Sequence, residues 1–390
     1  MPSDSDRQFI PLCEPHLAGN EWQYVKECID TGWVSSVGSY VDRFEKDIAR
    51  RTGAKHAVAI VNGTSALHIA LLICGVRAGD GVLISSMTFI APANAVRYAG
   101  AEPIFVDSES KHWEMDSALI AAFLEKECEV REKETFHCET NRRISAILPV
   151  HILGHSVDMD AILELGRRYH LKVIEDATES LGADYKGRPT GTLGDVGCYS
   201  FNGNKVITTG GGGMLVTNDA NLAARAKHYT TQAKSDPKEY IHDVVGYNYR
   251  LTNLQAALGC AQLEQLDSFI EKKRAIAAKY RKALSGLPGI SWQQEAEWAH
   301  SIDWLFTITV DEKVFGMSAR ELRELLSARK IQTRCLWQPM HLSPAHSHST
   351  MLGGAVADRL FETALSLPSS VSLSSDQQQA VIEAIKHAAK

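Results

Sequence analysis

One lysine, Lys205, lies in a stretch where packing gives no reason for a lysine. The stretch Cys198–Asn218, CYSFNGNKVITTGGGGMLVTN, predicts a short strand, a polar turn with Lys205, four successive glycines and a second strand. Most lysines are solvated surface charges, but the neighbours here are Asn, Gly, Thr and apolar residues. A lysine held in a partly desolvated site loses its proton more readily and becomes a nucleophile. We therefore predict that Lys205 carries out chemistry, most naturally as a Schiff base with a carbonyl cofactor.

Other residues supply what a pyridoxal phosphate cofactor needs. The stretch Asn62–Ser65, NGTS, follows an apolar strand and begins a helix, so backbone N–H groups and two hydroxyls favour a phosphate. Asp176 is suited to pair with a ring nitrogen, and Phe89 is suited to cover a ring. Each has an ordinary alternative, because NGTS is also a usual helix start, and Asp176 and Glu179 are also explained as solvated turn acids or caps. Only their order at successive strand ends favours a cofactor site.

The elements around these motifs predict an α/β fold. Short apolar strands alternate with helices, which is typical of a parallel sheet buried on both faces. Ligands bind at the carboxyl ends of such strands. Those ends carry Asn62–Ser65, Ser86–Phe89, Glu175–Ser180 and the Lys205 loop, so we expect them to meet in one site.

Hydrophobic spacing predicts the individual elements. Helices are expected at Glu21–Ile29, Val41–Thr52, Ala66–Cys74, Ala91–Tyr98, Met115–Glu127 with Asp116 as N-cap, Met159–Tyr169, Leu254–Leu284, Ser318–Arg329 and from Ser375. Strands are expected at Ala57–Val61, Val82–Ser85, Pro103–Val106, Ile144–Val150, Leu171–Ile174 and Trp304–Val310, and the charged stretch Glu129–Arg143 as a surface excursion. The pattern changes after Asn253, which predicts a large domain over residues 1–254 and a smaller α/β domain over residues 255–390.

Composition narrows the class of protein. The chain has 390 residues, 44% hydrophobic content and a formal net charge of −6, which argues against general nucleic-acid binding. Eight cysteines without a CxxC pair suggest free thiols in a reducing compartment. The start MPSDSDRQFI shows no signal-peptide pattern, and no apolar stretch reaches the roughly 20 residues of a membrane span. We expect a cytoplasmic protein without membrane partners. The histidine-rich HLSPAHSHS at His341–Ser349 matches no zinc spacing, so no metal is predicted.

Longer motifs extend these predictions into a family resemblance. The sequence resembles the DegT/DnrJ/EryC1/StrS sugar aminotransferases, pyridoxal phosphate enzymes of fold type I, the aspartate aminotransferase-like fold. The resemblance covers nearly the whole chain and implies a mostly parallel sheet in the large domain and a smaller C-terminal α/β domain. It rests on WVSSVGSYVDRFE (33–45), NGTSALH (62–68), TFIAPANAV (88–96), EDATESLGA (175–183), GTLGDVGCYSFNGNKVITTGGGG (191–213) and GYNYRLTNLQAALGCAQLE (246–264). The legionaminic acid and bacillosamine type of 4-aminotransferase is most similar, with the perosamine synthases next.

The resemblance assigns roles around the cofactor. Lys205 matches the Schiff-base lysine, Asp176 the carboxylate that keeps the pyridine nitrogen protonated, and Phe89 the aromatic stacked on the ring. Glu179 stands where many members have Gln or His near the cofactor's 3-hydroxyl. The phosphate-binding positions match Thr64, Ser65, Ser200 and Asn202.

The resemblance also implies a partner subunit and a sugar pocket. Asn248 matches an asparagine that reaches the phosphate of the neighbouring subunit's cofactor, which implies a homodimer with active sites at the subunit interface. Trp33, Ser35, Arg250 and His341 match positions for the nucleotide sugar, and Arg250 is suited to neutralise a diphosphate. Trp33 as a core residue is an equally good alternative.

The implied reaction moves the amino group of L-glutamate to the 4-keto carbon of a nucleotide-linked 4-keto-6-deoxy sugar, for surface polysaccharide or glycan biosynthesis. The expected substrate is of the UDP-2-acetamido-4-keto-2,6-dideoxyhexose type, and the alternative is a GDP-perosamine-type 4-aminotransferase. Pyridoxal 5′-phosphate is the expected cofactor, with pyridoxamine 5′-phosphate as intermediate. A related sugar dehydratase would carry histidine in place of Lys205, and a silent sugar-nucleotide-binding protein would not need Lys205 and Asp176 intact.

Overall fold

The structure is a computed structural model that describes residues 9–236 and 238–389. Residues 1–8, which belong to the start without a signal-peptide pattern, lie outside the described residues. Within the described ranges, no helix combines the length and apolar character needed to cross a membrane. The eight cysteines are free thiols.

The helices lie close to the predicted positions. They are α1 (Glu21–Thr31), α2 (Ser39–Thr52), α3 (Gly63–Ile73), α4 (Ile90–Tyr98), α5 (Ser117–Glu127), α6 (Met159–Arg168), α7 (Ala220–Thr230), α8 (Asn253–Leu263), α9 (Leu266–Leu284), α10 (Glu312–Phe315), α11 (Ala319–Ala328), α12 (Ala355–Thr363) and α13 (Ser375–Ala388). Local sequence sets several of the starts. Asp116 caps α5 as predicted, because its carboxylate accepts the Ala118 N–H at 2.9 Å.

The strands are short, as their apolar runs predicted. They are β1 (His56–Ile60), β2 (Gly81–Ser85), β3 (Glu102–Val106), β4 (Cys128–Arg131), β5 (Glu134–His137), β6 (Arg143–Leu148), β7 (Lys172–Asp176), β8 (Asp184–Tyr185), β9 (Arg188–Pro189), β10 (Val196–Ser200), β11 (Gly213–Thr217), β12 (Lys234–Asp236), β13 (Ile241–His242), β14 (Ile290–Trp292), β15 (Ala299–His300), β16 (Thr307–Val310), β17 (Arg334–Cys335), β18 (Thr350–Leu352) and β19 (Ala364–Ser366).

One mixed, mostly parallel sheet forms the centre of the protein. Its strand order is β1-β11-β10-β7-β6-β2-β3-β18. Neighbours from β10 to β18 run parallel, whereas β11 is antiparallel to both β1 and β10. All of β2 is buried, which explains why its sequence is apolar without alternation. The predicted α/β class is therefore confirmed.

Two sequence predictions differ from the structure. The charged stretch Glu129–Arg143 contains a hairpin, β4–β5, whose second strand extends the sheet beside β6. The charged composition gave no indication of this strand pairing, in which Thr135 is completely buried. The predicted single helix Leu254–Leu284 is broken between α8 and α9, where Gln262 and Gln265 both donate to Glu21 Oε1, at 2.6 and 2.9 Å. That contact with α1 is tertiary, so no local signal marked the break.

The carboxyl-terminal part builds a second sheet, in the order β14-β16-β19-β17. It has its own hydrophobic cluster, which includes Tyr280, Phe306 and Leu322. The predicted strand Trp304–Val310 begins only at Thr307. The division near residue 255 stays a prediction, because α8 packs on α1 and α2, and β18 joins the large sheet beside β3.

Candidate active site

The motifs at successive strand ends meet in one cavity of about 550 Å³. Its walls come from the ends of β7 and β10, the starts of α3 and α4, the glycine segment before β11, and the carboxyl-terminal part of the chain. The lining residues are Asn62, Gly63, Thr64, Leu67, Thr88, Phe89, Ala91, Pro92, Asp176, Thr178, Glu179, Ser200, Asn202–Lys205, Gly210–Gly212, Trp304, Arg334 and Trp337. The expectation that these strand ends share one site therefore holds.

Lys205 is held inside this cavity by its neighbours. Its Nζ lies 3.5 Å from Glu179 Oε1, and its side chain is only 13% exposed. The same Nζ lies 4.3 Å from the ring centroid of Trp304. The Lys205 N–H donates to the Asn202 carbonyl at 3.0 Å, which closes the turn after β10. An amine so placed faces the cavity while bulk water is largely excluded, as a nucleophile or proton carrier requires.

Asp176 ends β7 and is almost completely buried. Its Oδ1 accepts the Thr178 N–H at 3.0 Å. Burial raises the pKa of the Asp176 carboxyl, while the Thr178 bonds and the positive charge of Lys205 lower it. A cationic N–H group placed beside this carboxylate would offset part of the cost of burying its negative charge.

Glu175, the neighbouring acid, has a structural role. It is fully buried, and its carboxylate accepts the N–H groups of Gly191, Leu193 and Gly194 at 2.6–2.8 Å. His151 Nε2 lies 3.0 Å from the same carboxylate. Glu175 therefore fixes the loop before β10, and only Asp176 of the adjacent pair reaches the cavity.

The predicted phosphate positions lie around a close approach between α3 and β10. A Cβ at Gly63 would come within 2.9 Å of the Ser200 Cβ and 3.3 Å of the Thr178 Cγ2. Thr64, Ser200 and Asn202 line the cavity beside this contact. Backbone and hydroxyl groups brought this close at a helix start form a cradle that suits a phosphate.

Ser65 is the one predicted phosphate residue outside the cavity lining. The Ser65 N–H donates to Asn62 Oδ1 at 2.8 Å, which makes Asn62 the N-cap of α3. Ser65 is buried and is not among the residues that line the cavity. The Ser65 N–H, which the sequence suggested as a donor to an anion, therefore already has an acceptor within the chain.

Glu179 links the cavity to the loop after β6. Its Oε2 accepts the Leu153 N–H at 2.8 Å, and its Oε1 faces Lys205. Burial raises the pKa of Glu179, and the charge of Lys205 partly lowers it. A raised pKa favours the protonated form, which is the form that can donate to a facing oxygen.

Phe89 is the N-cap residue of α4, lines the cavity and is 54% exposed. An exposed aromatic side chain on the cavity wall is free to cover a flat ring.

A second acid–histidine pair lies behind the Glu179 loop. His155 Nδ1 is 3.2 Å from Glu114 Oε1, and His155 Nε2 accepts the Ala296 N–H at 3.0 Å. Burial lowers the pKa of His155 to about 4 and raises that of Glu114. Both shifts favour the neutral form of the group, as burial away from water requires.

The predicted sugar residues Trp33 and Arg250 lie in a different cleft, also of about 550 Å³. The residues described as lining it share none with the Lys205 cavity. Trp33 is 57% exposed, so it is not a core residue. Buried Asn253 shapes the loop, because its N–H donates to the Ser35 carbonyl at 2.6 Å and its side-chain amide to the Trp33 carbonyl at 2.8 Å.

Asn248 and His341 complete the predicted set. Asn248 is exposed, and its Oδ1 accepts from Arg250 Nε at 3.2 Å. His341 lies inside the protein, with Nδ1 2.8 Å from Ser86 Oγ and Nε2 3.0 Å from Asp358 Oδ1. Among residues 9–236 and 238–389, no group of three or more His, Cys, Asp or Glu side chains is placed to hold a metal ion.

Several residues of the cavity had no predicted role, among them Thr178, Trp304, Arg334 and Trp337. Thr178 lies within the predicted stretch Glu175–Ser180, so its position was available from the motif. Trp304, Arg334 and Trp337 come from the carboxyl-terminal part and reach the cavity only through the fold.

Comparison with known proteins gives a consistent match along the chain. Residues 15–386 match the DegT/DnrJ/EryC1/StrS aminotransferase family. The GDP-perosamine synthase of Escherichia coli O157:H7 is 40% identical over 381 residues, which cover 97% of this chain and 98% of that protein. The putative pyridoxal phosphate-dependent aminotransferase EpsN of Bacillus subtilis strain 168 is 39% identical over 384 residues, 97% of this chain and 95% of that one.

A solved structure agrees with these relatives. The crystal structure of a DegT DnrJ EryC1 StrS aminotransferase from Brucella abortus matches with a TM-score of 0.85 and 28% identity. The match covers 94% of this chain and 95% of that one.

Proposed function

We propose that this chain, which belongs to the DegT/DnrJ/EryC1/StrS aminotransferase family, aminates the 4-keto carbon of a guanosine diphosphate-linked 4-keto-6-deoxyhexose. The chain is a pyridoxal phosphate-dependent sugar aminotransferase. The choice of guanosine follows the Escherichia coli relative, whose name is GDP-perosamine synthase. It replaces the expected uridine-linked acetamido sugar as the preferred acceptor, and that sugar becomes the competing substrate in the test below.

One observation carries the proposal: Lys205 Nζ faces the same cavity as Asp176 and the Gly63–Ser200 cradle. These residues fit the three parts of pyridoxal phosphate, namely its aldehyde, its ring nitrogen and its phosphate. When bound, the cofactor supplies a carbonyl for the amino group and a ring that accepts electrons.

The chain's own residues then have separate tasks. Asp176 holds a proton on the ring nitrogen, and Thr64, Ser200 and Asn202 bind the phosphate. Lys205 Nζ removes the α-proton of the amino donor in the first half-reaction and delivers a proton to C4 of the sugar in the second. Since donor and acceptor use the same site in turn, the kinetics are ping-pong, with L-glutamate as donor.

A homodimer is the proposed active unit. Trp33 and Arg250 lie in a cleft apart from the Lys205 cavity, and Asn248 is exposed beside them. Exposed apolar residues lie on the segments near both, including Val37 (62% exposed) and Val245 (81% exposed). Apolar exposure on this scale supports a subunit interface through which Asn248 and Arg250 complete the neighbouring subunit's site.

The proposal is tested with a panel of nucleotide-linked 4-keto-6-deoxy sugars and L-glutamate, read by product mass and sugar stereochemistry. We expect turnover with the guanosine-linked sugar and weaker turnover with the uridine-linked acetamido sugar. Preference for the uridine-linked sugar would overturn the choice of acceptor. Lys205→Ala should abolish turnover with every sugar, and a Lys205→Ala protein that still turned over would overturn the catalytic assignment.

A further inference from the structure

Trp304 lies directly against the reactive lysine. Its ring centroid is 4.3 Å from Lys205 Nζ, and its side chain is almost completely buried. The indole Nε1 donates to the Asn204 carbonyl at 2.8 Å, which is the peptide group that joins Asn204 to Lys205. One side chain therefore holds both ends of the lysine, its backbone through a hydrogen bond and its amino group through the π face.

Trp304 and Glu179 are also joined to each other through Leu153. The Trp304 N–H donates to the Leu153 carbonyl at 3.0 Å, and the Leu153 N–H donates to Glu179 Oε2 at 2.8 Å. The other carboxylate oxygen faces Lys205 Nζ at 3.5 Å. The contacts thus form a closed ring that passes through Lys205, Trp304, Leu153 and Glu179. The backbone of Trp304 and one carboxyl oxygen of Glu179 are thus both bonded to the same residue, Leu153.

A buried lysine, Lys273, holds the backbone of Trp304 in place. Lys273 is 2% exposed, and its Nζ donates to the Trp304 carbonyl at 2.9 Å and to the Ser369 carbonyl at 2.8 Å. Trp304 is therefore anchored through its N–H, its carbonyl and its indole nitrogen.

We propose that Trp304 and Glu179 form a holding site for the free amino group of Lys205 during the stages in which Lys205 is not joined to the cofactor. An ammonium over an indole face is stabilised by the ring quadrupole, more so when water is excluded. Glu179 Oε1, 3.5 Å from Nζ, gives the amino group a second contact that keeps it from turning away into the cavity. Trp304 is thus a positioning residue that returns Lys205 to the same place in each half-reaction. This inference rests on the proposed role of Lys205 and not on the choice of sugar.

The test uses the full-length protein without cofactor and an amine-acylating reagent, sulfo-N-hydroxysuccinimidyl acetate. The labelling rate of each lysine is followed by peptide mass in wild type, Trp304→Phe and Trp304→Leu. We expect Lys205 to be labelled about two- to thirty-fold faster in Trp304→Leu, the range that corresponds to losing a cation–π contact, and by an intermediate factor in Trp304→Phe.

Lys273 is the internal control, because it bonds to the backbone of residue 304 and not to the indole ring. Its labelling should stay at the wild-type rate in both variants. Equal Lys205 labelling in wild type and variants would overturn the proposal. So would a joint rise at Lys205 and Lys273, since that would mean that the segment had loosened. If Trp304→Leu does not fold, the labelling rate of Lys205 in Trp304→Phe alone tests the proposal.

Kinetics of the holoenzyme give a second readout. We expect kcat of Trp304→Phe to fall several-fold while the KM values for donor and acceptor change less than twofold, because the indole is proposed to act on Lys205 and not on substrate binding. A rise in KM with unchanged kcat would overturn the proposal. Failure of the proposed function is seen separately, as turnover by Lys205→Ala, and it leaves the labelling result of the cofactor-free protein unaffected.

Discussion

Gly63 and Ser200 lie so close that a methyl group at residue 63 would come within 2.9 Å of the Ser200 Cβ. The start of α3 and the end of β10 therefore touch through a glycine, and the hydroxyls beside them converge. Gly63→Ala should lower the unfolding free energy by about 1–3 kcal/mol, the usual cost of overpacking. It should also weaken cofactor binding by about tenfold, as the cradle opens.

Gly203→Ala is the matched control for this variant. Gly203 lines the same cavity, but a Cβ there would have nothing within 4 Å. Thermal unfolding of the cofactor-free proteins and titration with pyridoxal phosphate measure both effects. Equal stability of the two variants would show that the Gly63–Ser200 contact is not what fixes the cradle.

Asp176→Asn should remove the negative charge without changing the shape of the site. Asn keeps an oxygen for the Thr178 N–H, so we expect the fold to be retained. A neutral amide cannot hold a proton on a ring nitrogen, and we expect kcat to fall by about a hundredfold or more. Steady-state kinetics, with circular dichroism as the check on folding, measure this. Near-wild-type turnover would remove Asp176 from the proposed machinery.

Glu179 should be replaceable by Gln but not by Ala. Gln can still accept the Leu153 N–H, whereas Ala leaves that buried donor unpaired at a cost of about 1–3 kcal/mol. Burial raises the pKa of Glu179, so its protonated form already resembles an amide. We expect turnover of Glu179→Gln within about tenfold of wild type and a larger loss in Glu179→Ala, about a hundredfold. A Glu179→Gln variant as inactive as Glu179→Ala would show that the charged carboxylate is required.

Two inactive variants should restore activity when mixed, if each site is built from two subunits. Lys205→Ala and Arg250→Ala proteins are unfolded together, refolded and assayed. In a randomly mixed dimer population, about a quarter of the sites would carry both native residues. Recovery of roughly that share of wild-type activity supports the proposed dimer. No recovery, with mixed dimers confirmed by mass, would place Arg250 and Lys205 in the same subunit's site.

The stability of the folded protein should depend on pH through His155. Burial lowers the pKa of His155 to about 4 from its ordinary 6.5, so the unfolded chain binds a proton that the folded protein does not. Above pH 6.5 His155 is neutral in both states and costs the folded protein nothing. As the pH falls from 6.5 towards 4, the free energy of unfolding drops by about 3 kcal/mol, because only the unfolded chain takes up the proton. Glu114 has the opposite effect. Because burial raises its pKa, the free energy of unfolding falls as the pH rises.

His155→Gln isolates the histidine part, since an amide can still donate to Glu114 and accept from Ala296. Denaturant unfolding between pH 7 and 4.5 should show a smaller loss of stability in the variant than in wild type. Parallel curves for the two proteins would show that the pKa of His155 is the same in the folded and unfolded states.

The sequence predicted the parts of the site that are local. Asp176, Thr64 and Lys205 each follow a recognisable strand, and a strand end is where a parallel sheet places its ligands. The parts that it could not predict depend on distant contacts. Trp304 reaches Asn204 across a hundred residues of sequence, and Asn253 shapes the Trp33 loop from the start of α8. The β4–β5 hairpin was missed for the same reason, because its pairing with β6 outweighs the charged composition of the segment.

The pairing of β18 with β3 has a consequence for synthesis and truncation. Thr350 lies opposite Ile104 at the edge of the large sheet, and Asp107, just after β3, accepts the N–H groups of Gly354 and Ala357 at the start of α12. During synthesis on the ribosome, the backbone groups on this edge of β3 stay unpaired until almost the entire chain has been made. A nascent or shortened chain that stops before residue 350 presents an open strand edge, which is a template for aggregation.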